Sequence, residues 1–243
     1  MKILFIRPII TNRADYLEED IVKEFASPGI EVVARHLEYG PDSIENEFDL
    51  VYSAPFVLEE AIKGQQDGFD GIISYCFANP AVEACREAVT IPVLGSGEAA
   101  MALASAIGRK IGIVTILPNI VPLIYKQCKD YITSGKLVAV RNANIPVVGI
   151  GDGSDEVFAK LYKESKACIE ENGADTIVLG CTGFAGFAKR ISDKLEEDGY
   201  IVPVIDPAAA SLKMIEALVT CNVKNSSVTY MSPIEKRYNL PEK

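Results

Sequence analysis

Gly-Phe-Asp-Gly-Ile-Ile-Ser-Tyr-Cys, residues 68–76, has a close counterpart later in the chain, Gly-Ala-Asp-Thr-Ile-Val-Leu-Gly-Cys at residues 173–181. In both stretches Gly-x-Asp opens a short apolar run, and a cysteine stands eight residues after the glycine. An apolar run of this length, bounded by turn residues and followed by a helical pattern, is typical of a buried parallel strand. Cys76 and Cys181 are therefore predicted to lie where a strand gives way to a helix, the edge at which open α/β sheets bind ligands.

The repetition extends beyond the cysteines. Residues 91–94 (Ile-Pro-Val-Leu) recur as residues 202–205 (Val-Pro-Val-Ile), and residues 1–6 have a counterpart in residues 109–114. Strand and helix patterns alternate along the chain, which favours parallel sheets of the doubly wound type. The sequence thus predicts an α/β fold of two pseudo-symmetric doubly wound parallel-sheet lobes, with the active site in the cleft between them and one thiol on either wall. The repeat places the junction near residues 95–109.

Periodicity and turn residues predict the individual elements. Asn79 is predicted to cap the helix after the first cysteine, with Pro80 as its first residue. Strands are predicted at 2–6, 30–37, 92–94, 110–115 and 202–205 besides the two cysteine strands, of which the second is predicted at 176–179. An extended segment is predicted at 137–143. Helices are predicted at about 15–25, 55–66, 81–89, 98–107, 119–134, 155–171, 184–197 and 207–219.

The composition is that of an acidic globular chain. Its 243 residues are 49% apolar, enough for an ample core, and a net charge of −10 without a basic stripe argues against nucleic-acid partners. The four apolar residues before Arg7 are too few for a signal peptide, and prolines interrupt the apolar region 111–125, which argues against a membrane span. We therefore expect a cytoplasmic protein that acts on a small molecule, with a homo-oligomer compatible with the sequence.

Six cysteines are present, and in this compartment they are expected to be reduced. None lies in a C-x-x-C pair, so a structural zinc site is not expected. Four of them lie in helical patterns and are expected to be small core residues: Cys85, Cys128, Cys168 and Cys221. Cys76 and Cys181 differ because they hold the same position of a repeated unit, before predicted helix N-termini that would lower a thiol pKa.

Two thiols on opposite sides of a planar carbon form a two-base device. One, as thiolate, removes a proton, and the other, as thiol, returns one to the opposite face, which inverts the centre. A nucleophilic cysteine hydrolase would instead need a histidine base. His36, the one histidine, lies in a predicted strand and is expected to be a packed strand residue.

Seven segments resemble the aspartate/glutamate/hydantoin racemase superfamily, and most of all its hydantoin racemase branch. They span most of the chain up to about residue 219 and are found at residues 40–45, 76–77, 92–93, 98–101, 114–115, 179–183 and 205–206. The resemblance implies a cofactor-independent racemase with Cys76 and Cys181 as its acid/base pair. It also implies a first lobe of residues 1–95 plus 208–243 and a second lobe of residues 96–207.

This chain departs from the branch at two places where substrate polar groups would be held. It has Arg-Pro-Ile-Ile-Thr at residues 7–11 instead of Asn-Pro-Asn-Thr, and Ala-Asn-Pro-Ala at residues 78–81 instead of Gly-Asp-Pro-Gly. Arg7 could bind a substrate carboxylate in bidentate fashion, or it could be a surface or capping arginine. The predicted substrate-binding residues are Arg7, Thr11, Gly40, Ser43, Phe77, Ala78, Asn79, Thr115, Thr182 and Gly183.

Several alternatives stay open at this stage. Ser43, Thr115 and the backbone N–H groups after each cysteine could stabilise a developing oxyanion, although such hydroxyls are also common caps and turn formers. Glu98 could be catalytic or merely a first-turn acid favoured by the helix dipole. Competing functions are an aspartate/glutamate-type racemase, a one-cysteine isomerase or decarboxylase of the same superfamily, and a non-catalytic two-lobed binding protein.

Overall fold

The computed structural model describes residues 1–10, 22–131, 135–150 and 154–234. Most of the helix predicted at 15–25, and Thr11 among the predicted substrate-binding residues, lie outside these ranges. The strands are β1 (Lys2–Arg7), β2 (Glu31–His36), β3 (Gly71–Ser74), β4 (Val93–Gly95), β5 (Ile111–Thr115), β6 (Leu137–Asn142), β7 (Thr176–Leu179) and β8 (Val204–Ile205). The helices are α1 (Glu47–Gln66), α2 (Val82–Ala88), α3 (Ser96–Ile107), α4 (Val121–Tyr131), α5 (Asp155–Asn172), α6 (Phe187–Glu197) and α7 (Pro207–Thr220).

The strands form two four-stranded parallel sheets in the described residues. Their orders are β2-β1-β3-β4 and β6-β5-β7-β8, so each sheet has the same topology in the same chain order. The central strands β3, β5 and β7 are buried along their whole length, as expected of parallel strands covered on both faces. The prediction of two similar α/β lobes with parallel sheets is therefore confirmed.

The repeated Gly-x-Asp motif lies at the start of each cysteine strand and makes the same contacts in both lobes. Gly68 and Gly173 adopt φ values of +80° and +68°, the left-handed conformation with which glycine ends a helix. The Asp70 carboxylate accepts a hydrogen bond of 2.7 Å from the first backbone N–H of β1. Asp175 accepts in the same way from the two backbone N–H groups that precede β5. Each aspartate thus joins its strand to the neighbouring strand of the same sheet.

Helix α1 begins at Glu47, eight residues before the start predicted at Pro55. Asn46 is its N-cap, because the side-chain oxygen of Asn46 accepts a hydrogen bond from the Asp49 N–H. Pro55 lies inside the helix on its exposed side, where water can satisfy the carbonyl that loses its helical partner. The other described helices follow the prediction more closely, although α6 begins at Phe187, three residues later than predicted.

The last helix returns to the first sheet. Helix α7 follows β8 of the second sheet and packs against α3 and β3. A lobe boundary near residues 95 and 207 agrees with this packing and stays a proposal. In the described part of the chain, no helix has the length and apolar character required to cross a bilayer.

Candidate active site

A pocket with about 460 Å³ of empty space, part of it open to solvent, lies at the carboxyl ends of β1, β3 and β7. The carboxyl edge of parallel strands is where ligands bind in this class of fold. Cys76 follows β3 of the first sheet, and Cys181 follows β7 of the second. The pocket is lined by Arg7, Pro8, Ile9, Ile44, Tyr75, Cys76, Val147, Cys181, Thr182 and Gly183. Thiols from two different lobes thus line one pocket.

Burial dominates the chemistry of the Cys76 thiol. The residue keeps some solvent exposure, but protein atoms surround the thiol, and this desolvation raises its pKa to about 11 although the Ala78 N–H acts in the opposite direction. The expected helix N-terminus is not adjacent, because a turn at residues 77–81 separates Cys76 from α2. The prediction that a neighbouring helix lowers this pKa is therefore wrong, and Cys76 is a thiol at neutral pH.

The turn after Cys76 is held by contacts to both lobes. Asn79 and Ala81 have φ values of 53° and 56°, a left-handed conformation that asparagine tolerates but that is unfavourable for alanine. The Asn79 side-chain oxygen accepts hydrogen bonds of 2.9 Å and 3.1 Å from the first-turn N–H groups of α3. Gln127 of α4 donates to the Ala78 carbonyl, and Ser74 donates to the Pro80 carbonyl at 2.8 Å. Asn79 therefore caps α3, and the prediction that it caps the following helix is wrong.

Cys181 is placed by a different local structure. It precedes a short 3-10 helix, Thr182–Phe184, and α6 does not begin until Phe187. The hydroxyl of Thr115 donates to the Gly180 carbonyl at 3.1 Å. Thr115 is fully buried, so its hydroxyl positions the cysteine loop instead of lining the pocket.

The predicted substrate-binding residues fall into two groups. Arg7, Thr182 and Gly183 line the pocket with the two cysteines. The other predicted residues in the described ranges do not line the pocket; they are Gly40, Ser43, Phe77, Ala78, Asn79 and Thr115. Of these, Phe77 and Ala78 are buried in the core.

Five lining residues were not predicted from the sequence. Pro8 and Ile9 follow Arg7 directly, and Tyr75 precedes Cys76. Their position beside a predicted strand end could have identified these three residues as pocket residues. Ile44 and Val147 come from the loops that follow β2 and β6, the equivalent outer strands of the two sheets. A hydrogen bond of 2.8 Å connects these two loops, in which the Val147 N–H donates to the Glu45 carboxylate.

Glu98 has a structural partner away from the pocket. Its carboxylate accepts a hydrogen bond of 2.6 Å from the Arg86 guanidinium, which also donates to the Val93 carbonyl and lies over the Tyr230 ring. Burial raises the pKa of Glu98, and the ion pair with Arg86 opposes that shift.

The C-terminal segment, which the sequence left unassigned, packs on the first lobe through Tyr230 and through Asn225, which donates to the Ile91 carbonyl.

In the part of the chain described, no group of three or more His, Cys, Asp and Glu side chains is placed to hold a metal ion.

The raised pKa of Cys76 leads to a measurable pH dependence. With a pKa of about 11, only about one Cys76 side chain in 10⁴ is a thiolate at pH 7. Because the thiolate is the nucleophile, we expect the rate of Cys76 alkylation by iodoacetamide to rise about tenfold per pH unit between pH 7 and pH 10. Mass spectrometry of the labelled peptides would measure this rate, with Cys221 as an internal comparison. Cys221 is exposed, so the prediction that it is a core residue is wrong. A rate that levels off below pH 9 would contradict the expectation.

Comparisons with known proteins agree on one family. Residues 16–215 match a family described as Asp/Glu/Hydantoin racemase. The chain is 32% identical over 239 residues to a hydantoin racemase from Pseudomonas sp. strain NS671, covering 98% of this chain and 94% of that protein. It is 34% identical over 194 residues to a hydantoin racemase from Rhizobium meliloti, covering 79% and 78% of the two chains. Among solved structures, an allantoin racemase from Klebsiella pneumoniae superposes with a TM-score of 0.91 at 31% identity, covering 98% and 96% of the two chains.

Proposed function

This chain belongs to the Asp/Glu/Hydantoin racemase family and is an isomerase, and from that premise we propose that it inverts the C5 stereocentre of 5-substituted hydantoins with two cysteines as acid and base. The observation that carries this proposal is the single pocket lined by Cys76 and Cys181 from different lobes. The hydantoin and allantoin racemases among its relatives support the substrate class, since allantoin is itself a 5-substituted hydantoin.

The chemistry follows from the acidity of the carbon at C5. Its hydrogen is next to a ring carbonyl, so removal by a thiolate gives a planar enolate whose charge rests on the carbonyl oxygen. A thiol on the opposite face then donates a proton to C5, and the product is the mirror image. One proton leaves and one arrives, so the step balances without oxidant or reductant, and reversal exchanges the roles of the cysteines.

The raised pKa of Cys76 indicates which cysteine acts as acid and which as base in the first turnover. A thiol at neutral pH is already in the form that donates a proton. We therefore assign Cys76 the role of acid in the resting enzyme, with Cys181 as the base. After one inversion the protonation states are exchanged, which prepares the enzyme for the opposite enantiomer.

The developing oxyanion requires hydrogen-bond donors. Thr182 and Gly183 are in the first turn of the 3-10 helix after Cys181, and both line the pocket. N–H groups in the first turn of a helix have no partner within that helix, so they can donate to an anion. These two backbone groups are the donors that we assign to the enolate oxygen.

Solvent deuterium tests the proposal directly. Enantiopure 5-methylhydantoin, allantoin, aspartate and glutamate would be incubated with the protein in D₂O, with enzyme-free samples correcting for spontaneous exchange. We expect optical rotation to decay for a hydantoin while one deuterium enters at C5, as seen by NMR. Racemisation of the amino acids instead would assign the chain to the aspartate/glutamate type. Binding of the whole panel without exchange would favour a non-catalytic protein and overturn the proposal.

A further inference from the structure

The turn after Cys76 is hydrogen-bonded to a side chain of the lobe that carries the other cysteine. Gln127 is on α4, a helix that packs against β6 of the second sheet, and its Nε2 group donates to the Ala78 carbonyl. Ala78 follows Cys76 by two residues and belongs to the first lobe. The hydrogen bond therefore joins the backbone beside Cys76 to the lobe that contains Cys181.

Ala78 also supplies the backbone group that faces the Cys76 sulfur. Burial raises the pKa of the Cys76 thiol, and the Ala78 N–H, which donates to the sulfur, opposes that shift. Because peptide units are planar, only the two backbone dihedral angles of Ala78 separate its N–H from its carbonyl. A carbonyl held by Gln127 thus limits the directions in which this N–H can point.

The turn requires contacts of this kind because part of its backbone is unfavourable. Ala81 has a φ of 56°, and such a conformation persists in a residue with a Cβ atom only where surrounding contacts hold it. Hydrogen bonds at Asn79 and Pro80 hold the middle of the turn. The bond from Gln127 holds the part nearer to Cys76.

Stability alone does not explain an amide at position 127. The Gln127 Oε1 atom is buried and makes no hydrogen bond with any described residue. A buried acceptor without a donor lowers the free energy of unfolding, and an apolar side chain of the same length would avoid that cost. The donor that Gln127 provides to Ala78 does explain the amide.

We propose that Gln127 is a positioning residue for Cys76, which holds the Ala78 carbonyl from the second lobe and so keeps the Cys76 sulfur opposite Cys181 across the substrate. This inference rests on the proposed function and adds to it a residue that does not line the pocket. Because Gln127 does not touch the substrate, its loss should slow proton transfer without weakening substrate binding.

Gln127→Met tests this role, since methionine has a similar length but no donor. One neutral hydrogen bond corresponds to about tenfold in rate and a misplacement of about 1 Å to about 100-fold, so we expect kcat for 5-methylhydantoin to fall by a factor between these values. KM should change by less than about threefold. Gln127→Glu repeats the test with a side chain of the same shape, because an ionised carboxylate only accepts hydrogen bonds.

Lys126→Met is the matched control on the same helix. Lys126 also reaches the first lobe, through an ion pair of 3.1 Å with Glu47, but both side chains are exposed and neither contacts the cysteine turn. Exposed ion pairs contribute little to stability, so this variant should keep the wild-type kcat and KM.

Deuterium exchange gives a readout that a general structural role would not change. With one cysteine replaced by serine, the remaining thiol can still exchange the C5 proton with D₂O. In the Cys181→Ser background exchange depends on Cys76, and Gln127→Met should lower its rate by about 10- to 100-fold. In the Cys76→Ser background exchange depends on Cys181, and the rate should change by less than about threefold. Measurement at about pH 9 raises the thiolate fraction of Cys76 about 100-fold over that at pH 7.

The outcomes separate the role of Gln127 from the function itself. A wild-type kcat in Gln127→Met and Gln127→Glu, or an equal loss of exchange in the two single-cysteine backgrounds, would overturn the positioning role while the racemase function stands. Absence of C5 exchange in the wild-type protein would overturn both.

Discussion

Replacing Cys76 or Cys181 with serine, one at a time, is expected to lower the rate of racemisation by about 10²- to 10⁴-fold, the range typical of a lost general acid or base. A serine hydroxyl is a far weaker acid than a thiol, so it supplies neither the base nor an equally good donor. Optical rotation measured from each pure enantiomer would give the rates. The two variants should fail in the same way because both cysteines take part in each inversion.

The variants should differ in the half-reaction that survives. With one thiol left, the protein can still remove the C5 proton from the enantiomer that presents it to that side and return a deuteron to the same face. We expect Cys76→Ser to exchange deuterium into one enantiomer without inversion. Cys181→Ser should exchange it into the other enantiomer more slowly at neutral pH, because the remaining Cys76 side chain is then almost entirely a thiol. NMR of each enantiomer in D₂O would show this pattern.

Cys221→Ser is the matched control, because Cys221 is exposed and does not line the pocket. It should racemise at the wild-type rate. Unchanged racemisation in either pocket variant would disprove the two-cysteine mechanism. Exchange of the same enantiomer by both variants would place the two thiols on one side of the substrate.

Gly97→Ala is expected to have the second largest effect, because an added methyl group would collide with the backbone of the Cys76 turn. A Cβ atom at Gly97 would be 2.0 Å from the Phe77 carbonyl oxygen and 2.9 Å from its carbon. Backbone atoms cannot rotate away as a flexible side chain does, so the turn at residues 77–81 must shift. Misplacement of a catalytic group by about 1 Å costs about 10²-fold in rate, and overpacking costs roughly 1–3 kcal/mol of unfolding free energy.

Steady-state racemisation and urea unfolding would separate the two effects. Gly149→Ala is the control, since among the described residues its Cβ atom would meet only the Pro146 Cδ atom, at 3.9 Å, an ordinary contact. We expect that variant to keep wild-type activity and stability. Full activity in Gly97→Ala would show that the turn after Cys76 tolerates displacement, and that its close packing on α3 is not needed for catalysis.

Much of the fold could be predicted because its strands and helices follow from patterns of neighbouring residues in the sequence. Short apolar runs bounded by turn residues identified most of the strands, and their alternation with helical patterns identified the parallel sheets. The repeat was visible because the two halves place the same residue types at the same spacing. Pro55 misled the prediction of α1, because its exposed position inside the helix depends on how the helix lies on the sheet.

The candidate site was predicted only in part. Residues adjacent to strand ends, such as Arg7, Thr182 and Gly183, were identified because strand ends can be located from the sequence. Ile44 and Val147 were missed because two loops far apart in the chain bring them together. Thr115 was assigned to the substrate because its position in the chain does not reveal the carbonyl to which its hydroxyl donates.

The sequence by itself determined that this chain folds into two similar α/β lobes, each with a cysteine after its third strand, and that it resembles racemases of one family. Only the tertiary structure decided that both thiols and a guanidinium line one pocket, and that burial raises the pKa of Cys76 to about 11. The physical reason is that the apolar runs and turn residues that define these strands are local features of the sequence. The solvation of a thiol depends instead on every atom packed around it, and most of those atoms come from distant parts of the sequence.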